Sequence, residues 1–151
     1  MTATAQLPHR SSAASSATTS RVSTATRRKV VSETSQMVFV VDDDAMMASL
    51  IGATMEGAGY QVRVFTDGAE ASTLAATLPP ALLLVDLTMP QLSGAETMAR
   101  LRKLQPMLPV VVISGVPKDE ARATVPEANA FLEKPFQFST LLRAVAGQLG
   151  R

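Results

Sequence analysis

The segment VFVVDDD, residues 38–44, begins with four apolar residues and ends with three consecutive aspartates. Two further segments have the same arrangement of an apolar run followed by ionisable residues: LLVDLTMPQLSG at 83–94 and FLEKPF at 131–136. Buried strands of a parallel sheet read as continuous hydrophobic runs, and ligands bind beyond the carboxyl ends of such strands. If all three runs are parallel strands, their ionisable residues meet at one edge of the sheet. Those residues are Asp42, Asp43, Asp86 and Lys134.

Three carboxylates and one ammonium at a shared edge describe a site for a divalent cation and a phosphoryl group. Carboxylates so close raise one another's pKa unless a cation intervenes, and Mg2+ is bound by carboxylates together with waters and phosphate oxygens. A carboxylate can then act as the nucleophile and form an aspartyl phosphate. The compact charge of Lys134 suits the phosphoryl oxygens. The simpler alternative is that the three aspartates are a solvated helix start, with Asp44 as the N-cap.

The composition allows one domain of ordinary size. The chain has 151 residues, of which 46% are hydrophobic and 18% charged, and it contains no cysteine. Disulfides, thiolate chemistry and cysteine-based zinc sites are therefore excluded, and a cytoplasmic protein is expected. No apolar run approaches the ~20 residues that a membrane-spanning helix requires, so no membrane association is expected.

Residues 1–36 differ in composition from the rest of the chain. They are rich in Ser, Thr and Ala, and their five basic side chains and one acid give a net charge of +4, against −3 for residues 37–151. A segment without apolar periodicity cannot bury enough surface to offset its chain entropy, so we predict a disordered tail. A transit peptide, nucleic-acid binding through residues 27–29 and a start codon assigned too early remain as alternatives. No nucleic-acid partner is expected.

From residue 37 onward, predicted strands and helices alternate. The strands are predicted over 38–41, 61–65, 81–85, 110–113 and 130–132, and the helices over 45–57, 69–77, 95–104, 118–125 and 139–149. Five strands alternating with five helices predict an α/β fold with a doubly wound parallel sheet. On the first helix, the helical spacing predicts that Met47, Leu50, Ile51 and Met55 face the core.

The ordered set of motifs over residues 37–151 resembles a response-regulator receiver domain, the flavodoxin-like module of bacterial two-component signalling. The resemblance implies a five-stranded parallel sheet of order 2-1-3-4-5. In the pattern D-x-x-M-P-x-x-x-G, which begins at Asp86 and ends at Gly94, it identifies Asp86 as the phosphoacceptor. It also implies that Mg2+ is bound directly by Asp43, mostly through water by Asp42, and through the backbone carbonyl of Thr88.

The resemblance further implies a phosphorylation-dependent switch. Ser114 takes the place of the switch hydroxyl, Phe131 that of the switch aromatic, and Lys134 pairs with the phosphoryl group. Movement of Ser114 toward the phosphoryl group would let Phe131 rotate inward, and the bond before Pro135 is expected to be cis. A histidine kinase or histidine phosphotransferase would be the donor, and a partner protein would read the switch. The chain would be no enzyme beyond its own phosphorylation and dephosphorylation.

Two departures from the family pattern affect the fourth helix and the switch. The interval from Ser114 to Lys134 is a little shorter than is usual for the family, with Pro126 and Glu127 at the end of the fourth helix. Phe131 lacks a hydroxyl, so its switching would be steric.

Two other functions fit parts of the same sequence. One is a degenerate receiver that serves as a phosphorylation-independent binding scaffold. The other is a haloacid-dehalogenase-type phosphatase, whose first motif resembles Asp42-x-Asp44. That enzyme needs a further acidic pair after its lysine, and residues 135–151 contain no acid.

Overall fold

The structure, a computed structural model, describes residues 36–150. The predictions made for residues 1–35 therefore lie outside the described part of the chain. The five strands are β1 (Met37–Val41), β2 (Gln61–Phe65), β3 (Leu82–Asp86), β4 (Val110–Ser114) and β5 (Ala130–Glu133). The five helices are α1 (Ala45–Gly57), α2 (Gly68–Ala75), α3 (Gly94–Leu104), α4 (Lys118–Thr124) and α5 (Phe138–Leu149).

The five strands form one parallel sheet of order β2-β1-β3-β4-β5, which confirms the predicted fold class. Strands β3 and β4 each run one residue further than predicted, and their last residues are Asp86 and Ser114. Every residue of both strands is buried, because helices cover both faces of a doubly wound sheet. The polar residues that end these strands are therefore fixed by a rigid core.

The core has two halves, one on each face of the sheet. On one face α1 and α5 pack against alternate strand residues, with Ile51, Met55, Leu141 and Val145 as buried helix residues. On the other face α2, α3 and α4 pack against the remaining strand residues. Their buried side chains include Ala71, Met98, Leu101 and Ala121.

The predicted core face of α1 is wrong at Leu50, which is 48% exposed. The helix instead approaches the sheet through the small residues Ala48 and Gly52, both of which are buried. A Cβ on Gly52 would lie only 2.7 Å from Cγ2 of Val64 on β2. Because the closest contact runs along these small residues, the buried face is rotated and Leu50 points toward solvent.

The short connection between β4 and β5 is anchored by α3. The guanidinium of Arg102 donates to the carbonyl oxygen of Glu127 at 2.8 Å and to Oδ1 of Asn129 at 2.8 Å, and it also donates to the Leu108 carbonyl. The same Asn129 oxygen accepts from the N–H of Val110 at 2.8 Å. These bonds stabilise the segment after α4, where the sequence departs from the family pattern.

Candidate functional site

The carboxyl ends of three strands bring four ionisable side chains together. Asp42 and Asp43 follow β1, Asp86 ends β3, and Lys134 directly follows β5. Strands β1 and β3 are neighbours that pair in register, and the order of the sheet reverses between them. The crevice at such a reversal is the usual ligand site of open α/β sheets.

The three aspartates form a compact cluster of oxygen donors. One carboxylate oxygen from each of Asp42, Asp43 and Asp86 lies within 4.8 Å of the others. Asp42 and Asp86 are buried, with exposed fractions of 1% and 6%, whereas Asp43 is exposed. The cluster therefore has a buried floor and one side open to solvent.

Lys134 bridges the two buried carboxylates. Its Nζ lies 3.4 Å from Oδ2 of Asp42 and 3.5 Å from Oδ2 of Asp86. The backbone N–H of Lys134 donates to the Ser114 carbonyl oxygen at 2.7 Å, and the peptide bond to Pro135 is cis, as the resemblance implied. The hydrogen bond to Ser114 holds the start of the loop from which the lysine extends toward the acids.

The electrostatics of the site disfavour the charged form of Asp86 in the absence of a cation. Burial, together with the nearby charge of Asp42, raises the pKa of Asp86. The ammonium of Lys134 and the N–H of Thr88 oppose that rise without cancelling it. Burial disfavours the charged form of Lys134, but Asp86 and Asp42 outweigh it and raise the pKa of the lysine above 10.5. One ammonium is therefore not enough to neutralise the cluster.

The donor set fits Mg2+. Hard divalent cations prefer carboxylate oxygens, and Mg2+ takes one or two of them while retaining waters. Two buried carboxylates with one ammonium, beside a third, solvent-exposed carboxylate, leave an excess of negative charge that a divalent cation would neutralise. Asp42 is held in place for this because its Oδ1 accepts the N–H of Asp44 at 3.0 Å. Asp44 itself is outside the cluster and caps α1 through the N–H groups of Met46 and Met47.

The remaining predicted site residues lie around the cluster. Thr88 is exposed, and its N–H donates to Oδ1 of Asp86 at 3.4 Å. Ser114 is buried at the end of β4, the strand beside β3, and its Oγ accepts the N–H of Val116 at 3.0 Å. Phe131 lies further from the edge, on β5 opposite Val112.

The ring of Phe131 is already inside the protein. It is 8% exposed, and the guanidinium of Arg122 lies over it at 4.9 Å from the ring centroid. This side chain is therefore largely shielded from solvent, in part by Arg122. The steric switch that the resemblance implies for Phe131 stays a prediction.

The backbone around Asp86 depends on one glycine. The N–H of Gly94, the first residue of α3, donates to the Leu87 carbonyl oxygen at 2.9 Å. A Cβ on Gly94 would lie 2.7 Å from Cα of Leu87 and would also meet the Asp86 carbonyl oxygen. The glycine of the D-x-x-M-P-x-x-x-G pattern thus lets α3 begin directly against the strand that carries Asp86.

Two residues near the site were not singled out from the sequence. Glu133, the last residue of β5, accepts the N–H of Lys118 at the start of α4, at 3.3 Å. Arg122 covers Phe131 from the middle of the same helix. Both are exposed charged residues, and the sequence gives no pattern that separates them from ordinary solvated charges.

Comparisons with known proteins agree with this geometry. Residues 38–146 match the family described as the response regulator receiver domain. The chain is 33% identical over 120 residues to the transcriptional regulatory protein PrrA of Mycobacterium tuberculosis, covering 78% of this chain and 52% of that protein. It is 30% identical over 118 residues to the DNA-binding dual master transcriptional regulator RpaA of Synechocystis sp., covering 76% of this chain and 49% of that protein.

A solved structure has the same architecture. The receiver domain of the Francisella response regulator 1452 is 30% identical to this chain, with a TM-score of 0.70 over 77% of this chain and 98% of that one. The fold, the acid cluster and the family match together define a two-component signalling module. The chain belongs to the response-regulator receiver domain family.

The chain spans about half the length of the two regulators named above. Within residues 36–150, no helix is both long and apolar enough to cross a membrane.

Proposed function

We propose that this chain is a phosphoacceptor response regulator in which Asp86 receives the phosphoryl group. One observation carries the proposal: Asp86 ends a buried strand, lies beside two further carboxylates, and has the Lys134 ammonium 3.5 Å from its Oδ2. Among the described residues, Asp42 is the other buried carboxylate with both an acid neighbour and the ammonium. It differs from Asp86 because it lies after its strand and outside the D-x-x-M-P-x-x-x-G pattern.

The reaction is a transfer between two nucleophiles. A carboxylate oxygen of Asp86 attacks the phosphorus of a phosphohistidine, and the new P–O bond forms as the P–N bond breaks. The electron pair of the broken bond stays on the imidazole nitrogen, which then takes up a proton. Lys134 balances the charge of the phosphoryl oxygens, and its raised pKa keeps it protonated at neutral pH.

We assign the metal to the acid cluster. Asp42, Asp43 and Asp86 would hold Mg2+, and the backbone carbonyl of Thr88 would complete the protein ligands. When bound, the cation neutralises the carboxylates and stabilises negative charge on the phosphoryl oxygens. The cluster's three oxygen donors within 4.8 Å support this assignment.

The donor we propose is the phosphohistidine of a histidine kinase or a histidine phosphotransferase, and the output is a conformational change read by a partner protein. Both relatives named above are transcriptional regulators by name, but this chain matches only about half of each. A role in transcription is therefore not carried over to it. The family match decides against the phosphatase alternative. The scaffold alternative predicts an intact fold that takes up no phosphate.

The test is phosphorylation by acetyl phosphate, with and without Mg2+, followed by intact mass. Wild type should gain one phosphate only when Mg2+ is present. Asp43→Asn should be slowed at least about tenfold, since loss of even an outer-shell partner of a metal typically costs that much. The matched control is Asp44→Asn, which removes a neighbouring exposed charge but keeps a good N-cap residue, and which should react at close to the wild-type rate.

Two results would count against the proposal, the first against its metal and the second against phosphorylation itself. If wild type is labelled at the same rate with and without Mg2+, the assignment of the metal to the acid cluster is wrong. A complete lack of labelling in a folded wild-type protein would favour the scaffold.

A further inference from the structure

The loop of residues 87–93, between β3 and α3, is held firmly at its first residue and loosely at its second. The N–H of Leu87 donates to the Ile113 carbonyl oxygen at 2.8 Å, and the Leu87 carbonyl oxygen accepts from Gly94 at 2.9 Å. Thr88 is exposed, and its N–H donates to the carboxylate at the end of β3 at 3.4 Å, which is longer than is usual for such a bond. The bonds of Leu87 therefore do not orient the carbonyl of Thr88.

The orientation of that carbonyl depends on the residue that follows it. The C=O of Thr88 and the N–H of Met89 belong to one peptide unit, which is planar. The unit can turn only about the bonds that join it to the two flanking Cα atoms. Because the Thr88 side of the unit is exposed and weakly bonded, the Met89 side decides how firmly the carbonyl is held.

Met89 is the buried anchor of the loop. Its side chain is 9% exposed and belongs to the core cluster between the sheet and helices α2, α3 and α4. The other residues from 88 to 93 are half-buried or exposed. Pro90 follows directly and restricts the backbone of Met89 to extended conformations. Both the side chain and the backbone of Met89 are therefore restrained before any cation binds.

Clefts flank Met89 on both sides. One, of about 230 Å³, lies toward the start of α2 and is lined by Asp67 and Gly68 together with Met89. The other, of about 310 Å³, lies toward α4 and is lined by Val116 and Glu120 together with Met89. Neither α2 nor α4 therefore packs fully against the loop, and the Met89 side chain separates the two clefts.

We propose that Met89 is a positioning residue of the metal site, which holds the loop to the core, fixes the orientation of the Thr88 carbonyl and so raises the affinity of the acid cluster for Mg2+. The physical reason is preorganisation, since a ligand that is already ordered loses less conformational entropy when the cation binds. The effect on Mg2+ rests on the metal assigned in the proposed function, whereas the holding of the loop does not.

Backbone order parameters from nitrogen-15 NMR of the metal-free full chain test the holding. Met89→Ala should lower the order parameters of Thr88 and Gln91, because the loop loses its buried side chain. Met98→Ala is the matched control, since Met98 is a buried methionine of the same core cluster but lies on α3, and it should leave the loop unchanged. Met89→Leu, which nearly conserves volume, should restore the wild-type values. Unchanged order parameters in Met89→Ala, or an equal fall in Met98→Ala, would overturn the proposal.

Titration of the same proteins with Mg2+, followed by the chemical shifts of backbone amides, tests the effect on the metal. Met89→Ala should weaken Mg2+ binding about tenfold, as the loss of support for a metal ligand typically does. Met98→Ala and Met89→Leu should bind close to the wild-type affinity. Urea unfolding should show that both alanine variants lose stability, so a difference in affinity between them does not come from stability. Equal weakening in Met98→Ala would contradict the proposal.

Pro90→Ala provides a second variant, which keeps the Met89 side chain but frees its backbone. Because Pro90 is exposed, this variant should fold even if Met89→Ala does not, and it should weaken Mg2+ binding in the same direction by less. If Met89→Ala and Pro90→Ala both bind Mg2+ as wild type does, the positioning role is wrong although the proposed function stands. If wild type binds no Mg2+, the metal of the proposed function fails, and the order parameters still decide whether Met89 holds the loop.

Discussion

The carboxylate of Asp86 lies in an environment that disfavours its negative charge. It is buried next to Asp42, which is also buried, and Lys134 is the one counter-charge in contact with it among the described residues. Burial and the charge of Asp42 together raise the pKa of Asp86. Groups whose pKa is shifted by burial and a like charge are concentrated at functional sites. The same excess of negative charge would favour binding of a cation, and with the cation bound Asp86 would be a good acceptor of a phosphoryl group.

Replacing Asp86 by Asn should stabilise the metal-free protein at neutral pH. The amide has the same shape and carries no charge, so it avoids both the burial cost and the repulsion from Asp42. We expect a rise of a few degrees in melting temperature, which corresponds to roughly 1 kcal/mol for a domain of this size. The measurement is thermal unfolding in the presence of a chelator.

The pH dependence of that difference follows from the direction of the pKa shift. As pH rises above 3.8, the ordinary value, the folded state keeps its proton longer than the unfolded state, so wild type loses stability until the folded pKa is passed. The advantage of Asp86→Asn should therefore be small near pH 3.8 and largest at neutral pH. A variant that is less stable than wild type at neutral pH without metal would contradict this account.

At the scale of elements, the strand ends were predictable and the helix faces only partly so. Asp86 and Lys134 each follow a short apolar run of the kind typical of a buried strand, so their position at the sheet edge was expected from the sequence. Leu50 was misplaced because helical spacing locates an apolar stripe but not its centre. The closest approach of α1 to β2, through Gly52, decides that centre, and it depends on tertiary packing.

A substitution at Gly94 tests how closely α3 packs against the strand that carries Asp86. Gly94→Ala puts a methyl group against Leu87 and the Asp86 carbonyl, so we expect a loss of about 1–3 kcal/mol, as for other overpacked sites. The control is Gly147→Ala in α5, where a Cβ meets nothing within 4 Å and the helix should gain about 0.5–1 kcal/mol. Denaturant unfolding measures both. Equal effects of the two substitutions would show that α3 does not pack on the Asp86 strand as closely as described.

At the scale of the whole molecule, the parallel sheet is what makes a site out of distant residues. Lys134 and Asp42 are 92 positions apart in sequence and are joined by a 3.4 Å contact. This convergence was predictable because parallel strands present all their carboxyl ends at one edge. The contacts of Glu133 and Arg122 were not predictable, since the sequence carries no sign that Glu133 accepts an N–H from a helix 15 residues earlier or that Arg122 covers the Phe131 ring.

The most direct measurement locates the phosphoryl group in the intact chain. After reaction with acetyl phosphate and Mg2+, borohydride reduces an aspartyl phosphate to homoserine, which peptide mass spectrometry identifies at a single position. The account predicts homoserine at residue 86, in a yield that falls to background when Mg2+ is chelated before the phosphodonor is added. Homoserine at position 42 or 43, with residue 86 recovered as unmodified aspartate, would contradict it.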